Sequence, residues 1–307
     1  MKHGALNALS RIMKGKVAYS FPMSRITSFR IGGPAWAVAH PGDENELAAA
    51  MSFCHKAGVP CVIIGNGTNL LVLDGGLEAA VIRVSPGMIS IRIVEESSPY
   101  VELEVGAGAP LRKLLGFALT RRLSGLEFLV SIPGSTGGAV ATNAGAFERS
   151  MADVITKVRL VNEKGELFYL SGKDIGFSYR QARLPESSAI SAVFFRLVAG
   201  DEGHIRRTMR EHAKQRMKTQ PLRYPSAGSV FKNPSGDFAG RLIEAVGLKG
   251  YRCGDAQISE VHANFIVNRG HASAAEVLCL MQEARRRVKQ LTGVDLEPEI
   301  QVLGTQG

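Results

Sequence analysis

The sequence predicts a mixed α+β protein of two parts, and three observations carry that prediction. Residues 36–84 run strand, helix, strand; residues 89–94 and 100–105 alternate strictly between apolar and polar; and residues 202–218 and 272–291 have helical periodicity. The first two place strands beside helices in an N-terminal region reaching about residue 200, where the alternation argues for a half-buried antiparallel pair. The third marks a smaller α/β lobe behind it.

Taken in order, Asp43 and Glu46 are spaced as a capping box for a helix running to His55. A short buried strand at 61–64 ends in Gly65-Asn66-Gly67-Thr68-Asn69, and apolar residues resume at 70–73. Pro110 suits the first turn of a helix to about Arg122. The glycine-rich stretch 125–146 follows, and residues 154–161 and 166–170 make a hairpin about Asn162-Glu163-Lys164-Gly165. Another strand lies at 191–198, with no linker or internal repeat up to that point. In the smaller lobe a polar turn, Pro-Ser-Ala-Gly-Ser-Val-Phe-Lys-Asn-Pro at 225–234, aims Ser229, Lys232 and Asn233 outward. A helix near 239–246, a strand near 263–267 and the long helix come next. The last strand, about 299–302, joins this lobe or folds back.

Composition narrows the function classes. A chain of 307 residues with 45% hydrophobic content builds real cores, and two domains are the natural expectation. Lys2, Arg11, Lys14 and Lys16 are not followed by an apolar run of signal-peptide length, and no segment reaches the ~20 apolar residues of a membrane span. A cytoplasmic protein without membrane contact is expected. Cys54, Cys61, Cys253 and Cys279 lie far apart in sequence without a Cys-x-x-Cys pair, so they read as separate reduced thiols. The seven histidines lack metal-ligand spacing, and no metal is expected. The net charge of +9 concentrates at 206–223 and 285–289, which could face nucleic acid or a small phosphorylated ligand. Interleaved Ala, Met and Val make a solvated helix face the commoner outcome.

Three glycine turns, at 65–69, 106–108 and 134–145, follow strands or helices. Glycine lets backbone amides approach phosphate oxygens without an intervening Cβ. None is a Rossmann fingerprint, since Leu70 and Leu111 stand where a third glycine belongs, and no Gly-Lys-Ser/Thr phosphate loop occurs. Together they favour a large phosphorylated cofactor.

TSFRIGGPA (27–35), GNGTNLLV (65–72), GLEFLVSIPGSTGGAVATNAGA (125–146), FSYR (177–180), PSAGSVFKNP (225–234), AGRLIEAVGLKG (239–250), HANFIVN (262–268) and LEPEI (296–300), in this order, resemble the UDP-N-acetylenolpyruvoylglucosamine reductase family. The resemblance spans residues 27 to 304 and implies a vanillyl-alcohol-oxidase/PCMH-type FAD-binding domain of two subdomains. The expected division is an N-terminal extension at 1–20, the FAD-binding domain at 21–200, split near residue 84, and a substrate-binding domain at 201–307.

It implies FAD as cofactor and NADPH as hydride-donating cosubstrate. The reaction would be reduction of UDP-N-acetylenolpyruvoylglucosamine to UDP-N-acetylmuramate for peptidoglycan, by an enzyme expected to be monomeric. By the same likeness Gly65, Asn66, Gly67, Thr68, Asn69, Pro133, Gly134, Ser135, Thr136, Gly137, Gly138, Asn143, Ala144 and Gly145 line the FAD. Thr68 stands where the family more often has serine. Arg180 corresponds to the catalytic arginine, Ser229 to the proton donor and Glu299 to the catalytic glutamate, while Tyr179, Lys232 and Asn233 are expected to contact substrate. Arg216, Lys218 or Arg223 are weaker candidates for the UDP diphosphate. The chain resembles the type without the extra tyrosine-bearing loop. It departs from the family at Ala182 and Leu184, where a serine and an aromatic residue are usual. The rival readings are a flavin oxidase of the same fold and a basic nucleic-acid-binding module.

Overall fold

The structure, a computed structural model, describes residues 2–14 and 16–306. Met1, Gly15 and Gly307, within the spans expected for the N-terminal extension and the C-terminal domain, lie outside the described residues. The chain divides into two compact units. The first gathers the residues up to 19 with 37–66 and 79–215; the second gathers 20–36, 67–78 and the residues from 216 onward.

In the first unit the strands Leu167–Ser171, Ile155–Val161, Ala189–Ala199, Tyr100–Gly106 and Ile91–Ser97 lie side by side in that order. Every pairing in this sheet is antiparallel. The register sets Val158 beside Val193 and Val193 beside Val105, and all three are fully buried. Residues one step along point the other way, as the pleat requires. There Arg159, opposite Ala192, pairs with Glu104 at 3.0 Å and with Glu44 of the helix Glu44–Lys56 at 2.6 Å. One face is thus an apolar core and the other an ion-paired seam against a helix.

The alternating runs at 89–94 and 100–105 do pair, but the first begins at Ile91 and extends to Ser97. A register shift between Ile93 and Glu95 breaks its strict alternation. The helix Glu44–Lys56 is capped by Asp43, whose carboxylate accepts from Glu46 N at 2.8 Å. Glu46 does not complete the box on Asp43. Its carboxylate accepts from Gly42 N at 2.8 Å and pairs with Lys16, and these contacts, the backbone bond foremost, hold it below the usual carboxylate range. Strand Cys61–Ile64 runs parallel to Leu77–Arg83 and delivers the chain to Gly65.

The second unit has a three-stranded antiparallel sheet, Arg252–Cys253, Ala256–Ile258 and Ile266–Asn268, and the helices Ala239–Ala245 and Ala274–Thr292. Ser273 and Glu276 form a capping box on the long helix, and Gly293 closes it at φ 76°. Val277, Leu280, Met281, Ala284 and Val288 recur at helical spacing on its buried side. The strand expected at 263–267 starts only at Ile266, because residues 262–265 turn, with Phe265 N donating to His262 O at 3.0 Å. The last strand, Gln301–Leu303, pairs in parallel with Leu70–Val72. The basic helix Glu202–Thr219 buries only Ile205, so its charges are largely solvated. Among the described residues no helix is long and apolar enough to cross a membrane.

Candidate active site

In the first unit the glycine turns are built by backbone contact. A Cβ on Gly65 would overlap Ser135 Oγ, and one on Gly137 would come within 2.8 Å of the Ala107 Cβ. Ser135, 1% exposed, caps the short helix Thr136–Ala141 by accepting from Gly138 N. Leu111 N donates to Gly134 O, Thr136 N and its hydroxyl both to Ala109 O, and Gly137 N to Ala107 O. Thr136 and Gly137 therefore hold the turn in place rather than offering donors outward.

Gly65 and the Ser135 cap meet at van der Waals range with no side chain at 65 between them. Such a glycine-lined junction at a helix start suits a diphosphate. The turn at 106–108 does not share this character. Its amides at Gly106, Ala107 and Gly108 donate to Ser90 O, Ser191 O and Met88 O, and its glycines admit the backbone of residues 87 and 88. That glycine signal, read with the others, marked close packing.

Asn143, 6% exposed and at φ 42°, uses both ends of its amide on backbone. Nδ2 donates to Ser178 O at 2.8 Å, and Oδ1 accepts from Ala152 N at 3.1 Å. Ala144 bonds Ala139 and Met151 through its backbone, and Gly145 pairs with Ser150 in a small hairpin. Arg180 sits in a reverse turn closed by Ser178 and Gln181, which exchange bonds of 2.9 and 3.1 Å. Its φ is 57°, a left-handed conformation that favours glycine. Its guanidinium carbon lies 5.2 Å from the centroid of the Tyr179 ring, which is 53% exposed. Ala182 and Leu184, the departures from the family pattern, pack partly buried against the core of this unit.

In the second unit the segment around Ser229 is extended rather than a compact turn. Ser229 bridges Phe265, and Phe231 bridges Pro298. Asn264, 3% exposed, clamps it: Oδ1 accepts from Phe231 N at 3.0 Å, Nδ2 donates to Phe231 O at 2.7 Å, and Asn264 O accepts from Val230 N at 2.8 Å. Val230 O in turn accepts from Glu299 N at 2.7 Å. Asn69 holds the same place from another side, donating through Nδ2 to Glu299 O at 3.1 Å. Gly67 packs on the backbone of Ile26 and Thr27, and its carbonyl accepts from Ser28 N. Ser229, Glu299 and Asn69, far apart in sequence, are thus joined through one backbone network.

Lys232 and Asn233 are already engaged. Lys232 Nζ is 2.5 Å from a carboxylate oxygen of Glu297, and Asn233 Oδ1 accepts from Ala239 N at 3.0 Å. The residue that sequence reasoning left without a role is Asn264, inside HANFIVN. Its only signal there is an amide among apolar neighbours. Burial keeps the neighbouring His262 below the ordinary histidine range, so that its neutral Nδ1 can accept from Asn264 N at 3.2 Å.

Residues 35–171 match the family described as FAD binding domain, and residues 220–303 match the UDP-N-acetylenolpyruvoylglucosamine reductase C-terminal domain. The UDP-N-acetylenolpyruvoylglucosamine reductase of Heliobacterium modesticaldum is 41% identical over 304 residues, covering 98% of this chain and 95% of the relative. That numbered 2 from Symbiobacterium thermophilum is 44% identical over 291 residues, covering 94% and 93%. The chain belongs to the UDP-N-acetylenolpyruvoylglucosamine reductase family. The crystal structure of the UDP-N-acetylenolpyruvylglucosamine reductase (MurB) from Thermus caldophilus superposes with a TM-score of 0.80 at 37% identity, over 94% of this chain and 98% of that one. The protein is an FAD-containing oxidoreductase of peptidoglycan biosynthesis with an α+β fold.

Proposed function

We propose that this chain reduces UDP-N-acetylenolpyruvoylglucosamine to UDP-N-acetylmuramate with NADPH as reductant, acting in the cytoplasm as a monomer. Bound FAD supplies the relay of hydride from NADPH to the vinyl carbon of the enolpyruvyl ether. The chain's own residues handle the charge and the proton that this addition leaves. Hydride arriving at one carbon drives negative charge onto the carboxylate-bearing neighbour. The planar, permanently charged fork of Arg180 suits that carboxylate, a contribution of about 3 kcal/mol when preorganised in a water-excluded site. Ser229 gives the proton. A hydroxyl is a weak acid, and it serves here because the acceptor carbon is strongly basic. Glu299 accepts or relays hydrogen bonds beside it. Gly65, the Ser135 cap and the turn through Gly138 would hold the cofactor, and Tyr179, Lys232 and Asn233 the sugar nucleotide.

One observation carries this reading: Val230, next to Ser229, accepts the Glu299 N–H at 2.7 Å, so an acid and a carboxylate from distant segments share one rigid support. The test is anaerobic. NADPH should bleach the flavin of the purified protein, and the enolpyruvyl sugar nucleotide, but not buffer, should restore its colour. A flavin that NADPH leaves oxidised, or that is recoloured only by oxygen, overturns the proposal and favours an oxidase.

A further inference from the structure

The C-terminal part of the second unit carries its cations in ion pairs, with one exception. From residue 220 onward every lysine and arginine but two has a carboxylate oxygen within 3.3 Å, as Arg285 has Asp295 and Arg287 has Glu283. The two are Arg223 and Arg269, both exposed, and neither has a carboxylate partner among the described residues. They converge on one side chain. The guanidinium carbon of Arg269 lies 4.1 Å from the centroid of the half-buried Tyr224 ring, and that of Arg223 lies 5.5 Å from the same centroid. An aromatic face attracts a cation within about 6 Å, but the two like charges gathered on this ring repel each other, and no carboxylate of the chain pairs with either.

The backbone beneath the cluster is fixed. Asn268, 2% exposed, donates from its N–H to Pro225 O at 2.9 Å and through Nδ2 to Phe29 O at 3.0 Å, while its Oδ1 accepts from Gly270 N and Ala272 N. Arg269 N donates to Asp255 O at 2.9 Å, and the Asp255 carboxylate is taken up by Arg252 and by His271 N. Ser226 O accepts from Ser28 Oγ at 2.7 Å. Tyr224 and Arg269 are thus fastened to one support, on a strap that reaches Ser229 five residues later.

We propose that Arg223, Tyr224 and Arg269 form a site for the diphosphate of the nucleotide substrate. A guanidinium fork donates two parallel N–H bonds to phosphate oxygens, and stacking on a fixed ring removes much of its freedom before the ligand arrives. The diphosphate supplies the negative charge that the cluster lacks. Arg223 was already a candidate from the sequence, whereas Tyr224 and Arg269 enter only through the fold that brings residue 269 to residue 224. That the occupant is the sugar nucleotide rests on the proposed reaction, and the dinucleotide reductant, which shares the phosphate chemistry, is separated from it by experiment.

The test is calorimetric titration of the oxidised, FAD-loaded full chain with UDP and, separately, with NADP+. Arg223→Gln and Arg269→Gln should each weaken UDP binding about tenfold, the usual worth of a hydrogen bond to a charged group, and leave NADP+ binding unchanged. In turnover the same variants should raise KM for the enolpyruvyl sugar nucleotide by about the same factor at unaltered kcat. Tyr224→Leu, which removes the ring but neither charge, should weaken UDP about threefold. Arg285→Gln deletes an equal charge from a cation already paired with Asp295, and should change UDP affinity by less than about twofold. UDP bound as tightly by both arginine variants as by wild type overturns the site, and does so without touching the proposed reaction if the sugar nucleotide still recolours the reduced flavin. Three further results overturn it as well: an equal loss in Arg285→Gln, which reduces the effect to overall charge; a loss of NADP+ rather than UDP, which gives the cluster to the dinucleotide; or a wild-type protein with no measurable affinity for UDP.

Discussion

The supports of Ser229 and Arg180 are built on opposite plans. Around Ser229, in the second unit, the backbone of residues 230 and 231 is bonded by Asn264 three times and by Glu299, and Phe231 is buried at 2% exposure. Around Arg180, in the first unit, the turn is closed on itself, tied to Asn143 through one hydrogen bond from Nδ2 to Ser178 O, and held at a left-handed φ of 57°. A short hydroxyl has no reach, so its placement must come from the backbone beneath it. A guanidinium on a long stem can find a carboxylate from a less constrained base, and the strain in its turn fixes the direction in which that stem departs. Ser229, the proposed proton donor, is positioned by the scaffold, and Arg180, the proposed carboxylate partner, by its own turn.

This contrast can be broken at several points. Ser229→Ala should lower turnover by about 10²- to 10⁴-fold, the usual worth of a positioned acid, with unchanged thermal unfolding. Asn264→Ala should cost about 2 to 4 kcal/mol of stability in denaturant melts, because Phe231 N–H and C=O lose their partners in a buried place. An unchanged midpoint would show that the clamp is not what holds the segment.

Comparison of Arg180→Gly with Arg180→Ala isolates the strained turn, since both delete the guanidinium. The glycine variant should be the more stable by about 1 kcal/mol, and equal stabilities would remove strain from the account. The smallest effect concerns pH. His262 has its pKa lowered by burial, so its neutral form contributes stability that is complete above the ordinary histidine value of about 6.5 and is lost as pH falls through the folded value. Melts of the wild type should weaken over that interval more than those of His262→Gln, and parallel pH profiles would contradict the assignment.

Much of the fold was legible because its signals are local. The hairpin of Ile155–Val161 and Leu167–Ser171 announces itself by alternation and by a turn in which Asn162 Oδ1 accepts from Lys164 N and Glu166 N, with Gly165 at φ 85°. The pairing of Gln301–Leu303 with Leu70–Val72 was not legible, because Asn69 and Glu299, which begin it, are 230 positions apart. The candidate catalytic residues came from motifs, but their supports did not. Asn143 read as a cofactor contact, and no motif announced that its amide bonds Ser178 O and Ala152 N. Asn264 had no role until its partners were seen, and the turn at 106–108 looked like a phosphate loop until its amides proved to be bonded within the fold. An amide's partner is a property of tertiary structure, and a single sequence names the amide without the partner.

The central claim, that Ser229 gives the proton in the second half of the reaction, is tested most directly by rapid mixing with Ser229→Ala. Flavin bleaching by NADPH should match wild type, while reoxidation of the reduced variant by the enolpyruvyl sugar nucleotide should slow by orders of magnitude. Equal slowing of both halves, or reoxidation at the wild-type rate, would contradict it.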